Sequence, residues 1–126
     1  MQTQLILYGH GSRDPKWQSA FDDLAASVRA QVRDVGRVDT AFLQFISPSL
    51  HETVQLGVDQ GVTRVHVVPI FLFPGQHVRF DIPEAIAQIR KEHPTLTVEL
   101  DTPIGDHAAF RQIVTDRAMA VLTSEM

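Results

Sequence analysis

The chain contains no cysteine. Disulfide bonds, thiolate nucleophiles and cysteine-ligated metal clusters are therefore excluded, and this composition is compatible with a cytoplasmic location. No apolar run approaches the roughly 20 residues that a membrane-spanning helix needs. Met1–Gln4 also lack the basic region and the long apolar stretch of a signal peptide. We therefore expect a cytoplasmic protein with no membrane partner.

Positive charge is also scarce in this chain. Lys and Arg number 11 against 15 Asp and Glu, which gives a formal net charge of −4. A mildly acidic protein is a poor candidate for nucleic-acid binding, so no nucleic-acid partner is expected. The 126 residues show no linker and no internal repeat. They predict a single domain over residues 1–126, which is long enough to bury a sizeable core.

Short apolar runs alternate with amphipathic stretches along the whole chain. The pattern predicts strands over residues 4–9, 37–45, 65–72 and 96–100, each followed by a helix. Such alternation is typical of an α/β fold, a three-layer α/β/α sandwich around a small four-stranded parallel sheet. A parallel sheet this narrow has exposed edges, which favour self-association.

Polar capping residues predict where each helix begins. The predicted N-caps are Asp14, Ser49, Asp81 and Asp106. Pro69 falls within the third predicted strand, where it would remove a ladder hydrogen bond. We therefore expect an edge position or a bulge at Pro69.

Two histidines follow predicted strands. His10 lies between two glycines directly after the first strand, and His77 lies in the loop after the third. In open α/β sheets, ligands bind at the carboxyl ends of the strands. The two histidines therefore suggest an open metal site or a proton-transfer site, because no closed four-ligand zinc spacing is present. The alternative is that both are ordinary loop histidines bonded to backbone.

The other histidines have less favourable positions. His66 lies at the amino end of a strand and is expected to be structural, as are His51 and His93 on helices. His107 opens the last helix, where it could line the pocket or simply lie on the surface. Nucleotide-binding and zinc-protease motifs are absent, and so is the nucleophile elbow of hydrolases.

Several segments together resemble a known family. They are residues 9–13 (GHGSR), 41–43 (AFL), 48–50 (PSL), 67–72 (VVPIFL) and 75–83 (GQHVRFDIP). GHGSR alone is a weak signal, but its combination with GxHxxxDIP is specific. The chain resembles the short-form sirohydrochlorin chelatases of the class II chelatase family, from Leu5 to about Gly105.

The resemblance implies insertion of a divalent metal (cobalt, iron or nickel) into sirohydrochlorin, with no organic cofactor. It implies that His10 and His77 bind the metal and remove the pyrrole protons, in a cleft at a homodimer interface. Many relatives carry a glutamate at the position of Gln44. The residues expected to contact sirohydrochlorin are Gly11, Ser12, Arg13, Gln44, Gln76, Arg79 and Phe80. Arginine suits the carboxylates of this substrate, and Phe80, with Phe45 and Phe73, could pack against the ring.

Two alternatives stay open. One is a non-catalytic carrier of metal or tetrapyrrole, which would use the same two histidines. The other is a histidine phosphatase, which is also an α/β protein with a histidine after its first strand. That chemistry needs an arginine directly before the nucleophilic histidine, and here the position is Gly9.

Overall fold

Four strands and four helices alternate along the chain in the computed structural model, which describes residues 2–125. The bounds are β1 Thr3–Gly9, α1 Pro15–Val32, β2 Arg37–Phe42, α2 Leu50–Asp59, β3 Arg64–Pro69, α3 Gln76–Glu92, β4 Thr97–Leu100 and α4 Ala108–Thr123. Short 3₁₀ turns, Arg33–Val35 and Ile104–Asp106, precede β2 and α4. The predicted order of elements is therefore confirmed.

The four strands form one parallel sheet in the order β2-β1-β3-β4. The predicted α/β class with a parallel sheet is thus confirmed. Because β1 and β3 are neighbours, the loops that follow them leave the sheet side by side. The segments carrying His10 and His77 therefore start from the same edge of the sheet.

The strands bury side chains on both faces, as expected for parallel strands. On one face Ile6, Val65 and Val67 pack against α2 and α3. On the other face, Leu7 and neighbouring side chains pack against α1. The α1 side of this second cluster consists chiefly of Phe21 and Ala25.

Two strands end earlier than the sequence pattern predicts. We expected β2 to reach Phe45, but it ends at Phe42, whose N–H donates to the carbonyl of Pro48 at 2.9 Å. The chain therefore folds back on itself after Phe42 instead of extending the strand. The predicted strand end at Phe45 is based on the sequence pattern of residues 37–45 alone. The backbone hydrogen bond from Phe42 to Pro48 explains why that prediction is wrong.

β3 ends at Pro69 rather than at Leu72. The edge position or bulge predicted at Pro69 is also wrong, because β3 is an inner strand of the sheet. Val67 accepts a hydrogen bond from Asp101, and Ile70 donates to Tyr8. Backbone groups of alternate residues face alternate neighbours, so the nitrogen of Pro69 faces the β4 side. β4 has already ended there, so the missing N–H breaks no ladder bond.

Two helices begin at residues other than those predicted. α3 begins at Gln76, with Gly75 as N-cap, rather than after Asp81. Pro83 therefore lies inside the helix, although it has no N–H to donate. Burial of the α3 side chains Ile82, Ile86 and Ile89 favours one continuous helix over a break. α4 is capped by His107 and not by Asp106, because Asp106 belongs to the preceding 3₁₀ turn.

α4 differs from the other helices because none of its described residues is buried. Its apolar side chains Ile113, Met119 and Leu122 are 62%, 55% and 60% exposed. Apolar side chains occur around the whole helix, a composition typical of a buried helix. Among residues 2–125, no helix is long and apolar enough to span a membrane.

Candidate metal site

The loop after β1 is joined to the loop after β2 by backbone contacts. The Leu43 N–H donates to the Gly9 carbonyl at 2.9 Å, and the Gln44 N–H donates to the His10 carbonyl at 3.1 Å. Gly11 has a φ of +90°, and a Cβ there would lie 1.9 Å from the Gln44 carbonyl oxygen. Only glycine accommodates both the conformation and the close approach. The second glycine of the Gly-His-Gly sequence is therefore required by the packing of the two loops.

This packing places Gln44 beside His10. The Gln44 side-chain nitrogen lies 3.2 Å from His10 Nε2 and 3.4 Å from its Nδ1. His10 Nδ1 also lies 3.2 Å from the Gly11 carbonyl oxygen. A carbonyl only accepts, so that contact needs the proton on Nδ1, and in the neutral ring the Nε2 lone pair then accepts from the Gln44 amide. Nε2 is thus the His10 nitrogen that can bind a metal or a proton once the Gln44 amide moves away.

His77 lies in the first turn of α3, so the prediction that it lies in a loop is wrong. Its side chain is exposed. Within residues 2–125, no hydrogen bond or ion pair engages the His77 imidazole. No group of three or more His, Asp or Glu side chains in this part of the chain could hold a metal. His10 and His77 lie on segments that leave the same edge of the sheet, because they follow the neighbouring strands β1 and β3.

Both arginines of the candidate site are engaged within the chain. The guanidinium of Arg13 lies over the Phe45 ring, 4.6 Å from its centroid. Arg79 donates to both carboxylate oxygens of Asp106, at 2.9 and 3.1 Å. The Arg79 hydrogen bond lowers the pKa of Asp106 and raises that of Arg79. In this arrangement Arg79 is already paired, whereas the contact of Arg13 with the ring uses the guanidinium face and none of its N–H donors.

The remaining predicted contact residues divide into two groups. Ser12 is committed locally, because its hydroxyl accepts from the Asp14 N–H at 3.0 Å. Asp14 in turn caps α1, as predicted, by accepting from Lys16. Gln76 and Phe80 are exposed on the first turns of α3. Phe80 is 63% exposed, so it is available for contact with a ligand.

The sequence alone assigned no role to Phe71, which packs beside His10, or to Tyr8, which packs against Phe71. The Phe71 ring lies edge-on to His10, with 6.0 Å between centroids, and edge-on to Tyr8 at 6.2 Å. Burial, and secondarily the charge of Asp81, raises the pKa of Tyr8 to about 12. The phenol is therefore neutral below that value. The position of Tyr8 before GHG was the only sequence signal for this packing.

Three of the other histidines pair with carboxylates. His66 Nε2 lies 3.1 Å from an Asp101 oxygen, and His107 Nε2 lies 3.3 Å from the other Asp101 oxygen. The hydrogen bond from His66 is the main cause of the lowered pKa of Asp101. His51 lies 3.5 Å from Glu92. These contacts give the three histidines roles within the fold itself.

The chain is similar to one family model and to proteins named as sirohydrochlorin chelatases. The family model described as CbiX matches residues 4–121. The chain is 30% identical over 94% of its length to a chloroplastic sirohydrochlorin ferrochelatase of Arabidopsis thaliana, of which it spans 52%. It is 28% identical to a sirohydrochlorin cobaltochelatase of Methanococcoides burtonii, covering 94% of this chain and 95% of that one. The chain spans about half the length or less of the first curated relatives it matches.

One solved structure matches along its whole length. A cobalamin (vitamin B12) biosynthesis CbiX protein from Marinobacter aquaeolei VT8 superposes with a TM-score of 0.82 at 32% identity. The superposition covers 97% of this chain and 98% of that one. The strand order and the position of the loops are therefore those of a known fold.

Proposed function

The chain belongs to the CbiX family, and from this we propose that it inserts a divalent metal ion into sirohydrochlorin. The observation that carries the proposal is the position of two histidines at one edge of the sheet, His10 in the loop after β1 and His77 in the first turn of α3. Both lie in the motifs that resemble the chelatases. The names of the relatives, ferrochelatase and cobaltochelatase, support iron or cobalt as the metal substrate.

We propose that His10 and His77 hold the incoming metal and, as the metal passes to the pyrrole nitrogens, accept the displaced protons on the lone pairs that the metal leaves. Insertion replaces two pyrrole N–H protons by one divalent ion, so two protons must leave. A neutral imidazole binds first-row divalent metals and accepts protons near pH 7. The lone pair on His10 Nε2 supports this role, because only a hydrogen bond from the Gln44 amide has to break before it can bind a metal or a proton. The Gln44 amide beside it cannot act as a base, so the protons pass to the histidines.

The proposed contacts to the substrate involve the loops around the histidines. Backbone at Gly11 and the exposed side chains of Gln76 and Phe80 are available as they stand. Arg79 would reach a carboxylate of sirohydrochlorin only by leaving Asp106. The complete set that we propose for substrate contact is Gly11, Ser12, Arg13, Gln44, Gln76, Arg79 and Phe80.

We propose that the protein acts as a homodimer, whose second copy covers α4 and closes the site. The exposed apolar residues of α4 support this, since a helix of 16 residues is about 24 Å long and needs a partner along its length. The exposure of His77 supports it as well, because ligand sites normally enclose most of their ligand. Size-exclusion chromatography with light scattering tests the proposal, and a strict monomer at working concentration would overturn it.

The experiment for the function is an insertion assay with purified protein. Sirohydrochlorin and Co²⁺ or Fe²⁺ are mixed, and the visible absorbance reports the metallated product. A chelatase raises the initial rate above that of the uncatalysed reaction, with no other cofactor added. Tight binding without a rate increase would instead indicate the carrier, and turnover of a phosphate ester would indicate the phosphatase.

We also propose that nickel can serve as the metal substrate and that the protein is cytoplasmic. Nickel is tested by adding Ni²⁺ in competition with Co²⁺ in the same assay, because imidazole ligands discriminate little between these ions. Fractionation of cells that express the tagged protein tests the location.

A further inference from the structure

Phe45 has a backbone conformation that is unusual for its residue type. Its φ is +72°, in the left-handed region, where bulky side chains are genuine outliers. Its side chain is 53% exposed, so burial of the ring does not explain why the strain is retained. Strained residues of this kind persist only where the surroundings impose them, and they occur preferentially at functional sites.

The surroundings that impose the conformation are the two packed loops. Residues 9 and 10 accept backbone hydrogen bonds from residues 43 and 44, so the segment before Phe45 is fixed against the His10 loop. A few residues after these bonds, in the same two loops, the Arg13 guanidinium lies over the Phe45 ring, 4.6 Å from its centroid. A guanidinium at this distance over an aromatic face is attracted to it. Arg13 thus holds the ring from one side.

The position of the ring relates it to the site. Phe45 directly follows Gln44, whose side chain lies 3.2 Å from His10 Nε2. Phe73, another exposed aromatic residue, packs instead edge-on against Phe110 of α4, with 6.1 Å between centroids. Phe45 is therefore an aromatic side chain that is exposed, strained and one residue away from the group beside the proposed metal nitrogen.

We propose that Phe45 stacks on the macrocycle of the tetrapyrrole substrate, and that Arg13 is a positioning residue that holds Phe45 rather than an anchor for a substrate carboxylate. The inference rests on the proposed function and deepens it. A flat conjugated ring and a phenyl face favour offset stacking.

The first test replaces Phe45 with glycine, which accepts the positive φ and removes the ring. Binding of metal-free sirohydrochlorin is followed by its fluorescence and visible absorbance. We expect Phe45→Gly to bind at least tenfold more weakly, while its Tm is unchanged or a few degrees higher, because strain is relieved. Phe45→Tyr keeps the aromatic face and is expected to bind like the wild type.

A matched control is available at the opposite edge of the sheet. Arg33 also has a positive φ, +44°, and lies in the 3₁₀ turn before β2, away from the histidines. Arg33→Gly relieves backbone strain in the same way and is expected to leave sirohydrochlorin affinity unchanged. A loss of affinity specific to Phe45→Gly therefore reports the ring and not the change to glycine.

The role of Arg13 is tested by a double-mutant cycle with Phe45. If Arg13 acts through the ring, Arg13→Ala weakens sirohydrochlorin binding in the wild type but causes no further loss in the Phe45→Gly background. Independent binding of a carboxylate would give losses that multiply, and that outcome overturns the positioning role. Arg13→Lys, which keeps a cation near the ring, is expected to recover part of the affinity.

The outcomes separate the two proposals. If the wild type neither binds sirohydrochlorin nor accelerates insertion, the proposed function fails. If the wild type does both and Phe45→Gly binds equally well, only the stacking role is overturned. A Phe45→Gly variant that loses dimer mass and keeps its affinity likewise overturns stacking, and assigns Phe45 to the subunit interface.

Discussion

Gly11→Ala should separate the two loops that position His10. The substitution meets two obstacles, a φ of +90° and a Cβ that would lie 1.9 Å from the Gln44 carbonyl oxygen. The obstructing atom belongs to the backbone, so no side-chain rotation relieves the contact. The loop after β2 must move away, and the two backbone hydrogen bonds that join residues 9 and 10 to residues 43 and 44 weaken with it.

The loss of unfolding free energy in Gly11→Ala is the sum of two contributions. A left-handed conformation costs a non-glycine residue about 1–2 kcal/mol. Loss of the two loop hydrogen bonds adds about 0.5–1 kcal/mol each. The sum is about 2–4 kcal/mol of unfolding free energy, which for a chain of this size corresponds to a fall in Tm of about 8–15 °C. Insertion activity should fall as well, because Gln44 and His10 move apart.

Two other glycines provide matched controls for thermal denaturation followed by circular dichroism. Gly61 has the same φ of +90°, but a Cβ added there would have no atom within 4 Å, so Gly61→Ala isolates the conformational cost. Gly36 has extended backbone with φ −172° and equally open space, so Gly36→Ala should be nearly neutral. A Gly11→Ala variant no less stable than Gly61→Ala would refute the role of the loop contact.

Three further results are expected. Gly105→Ala should lower both Tm and activity, since its Cβ would meet the Leu72 carbonyl oxygen at 1.6 Å and displace the segment leading to His77. The protein has one tyrosine, so its ultraviolet titration should show a pKa of about 12, and stability should fall as pH rises from 10 toward 12 because the unfolded phenol ionises first. Asp106→Asn should flatten the fall in stability at acid pH. The folded-state pKa of Asp106 is lowered from its unfolded value near 3.8, so its contribution is complete above that value and is lost as pH falls through the folded-state pKa. Urea titrations that show the same fall at acid pH in the variant would contradict this.

The sequence predicted the elements well, because apolar periodicity reports burial. It predicted their ends less well. β2 and β3 were extended through Phe45 and Leu72 because apolar residues follow both strands, yet Phe45 is exposed and strained. The Asp81-Ile82-Pro83 sequence suggested a helix start, whereas three buried isoleucines continue the helix through it. In each case packing against distant segments outweighed a local signal.

The sheet edge that carries His10 could be predicted from the sequence, but the side-chain contacts around it could not. Glycines around His10 and the strand before it indicated the sheet edge, because backbone direction is a local property. The contacts of the arginines are not local. Arg79 pairs with Asp106, 27 residues away, and Arg13 covers Phe45, which the fold-back after β2 brings near. Sequence spacing could not reveal that Arg79 is already paired with a carboxylate or that Arg13 lies against a ring.

We propose that His10 and His77 together carry out metal insertion. The most direct test is the initial rate of Co²⁺ insertion into sirohydrochlorin by His10→Ala, His77→Ala and the wild type. His51→Ala is the matched control, since His51 is half exposed and pairs with Glu92 away from the site. Both site variants are expected to lose at least a factor of about 100, the lower end of what a positioned acid–base group contributes, while the control keeps the wild-type rate. Retention of the wild-type rate by either His10→Ala or His77→Ala would overturn the assigned role of that histidine.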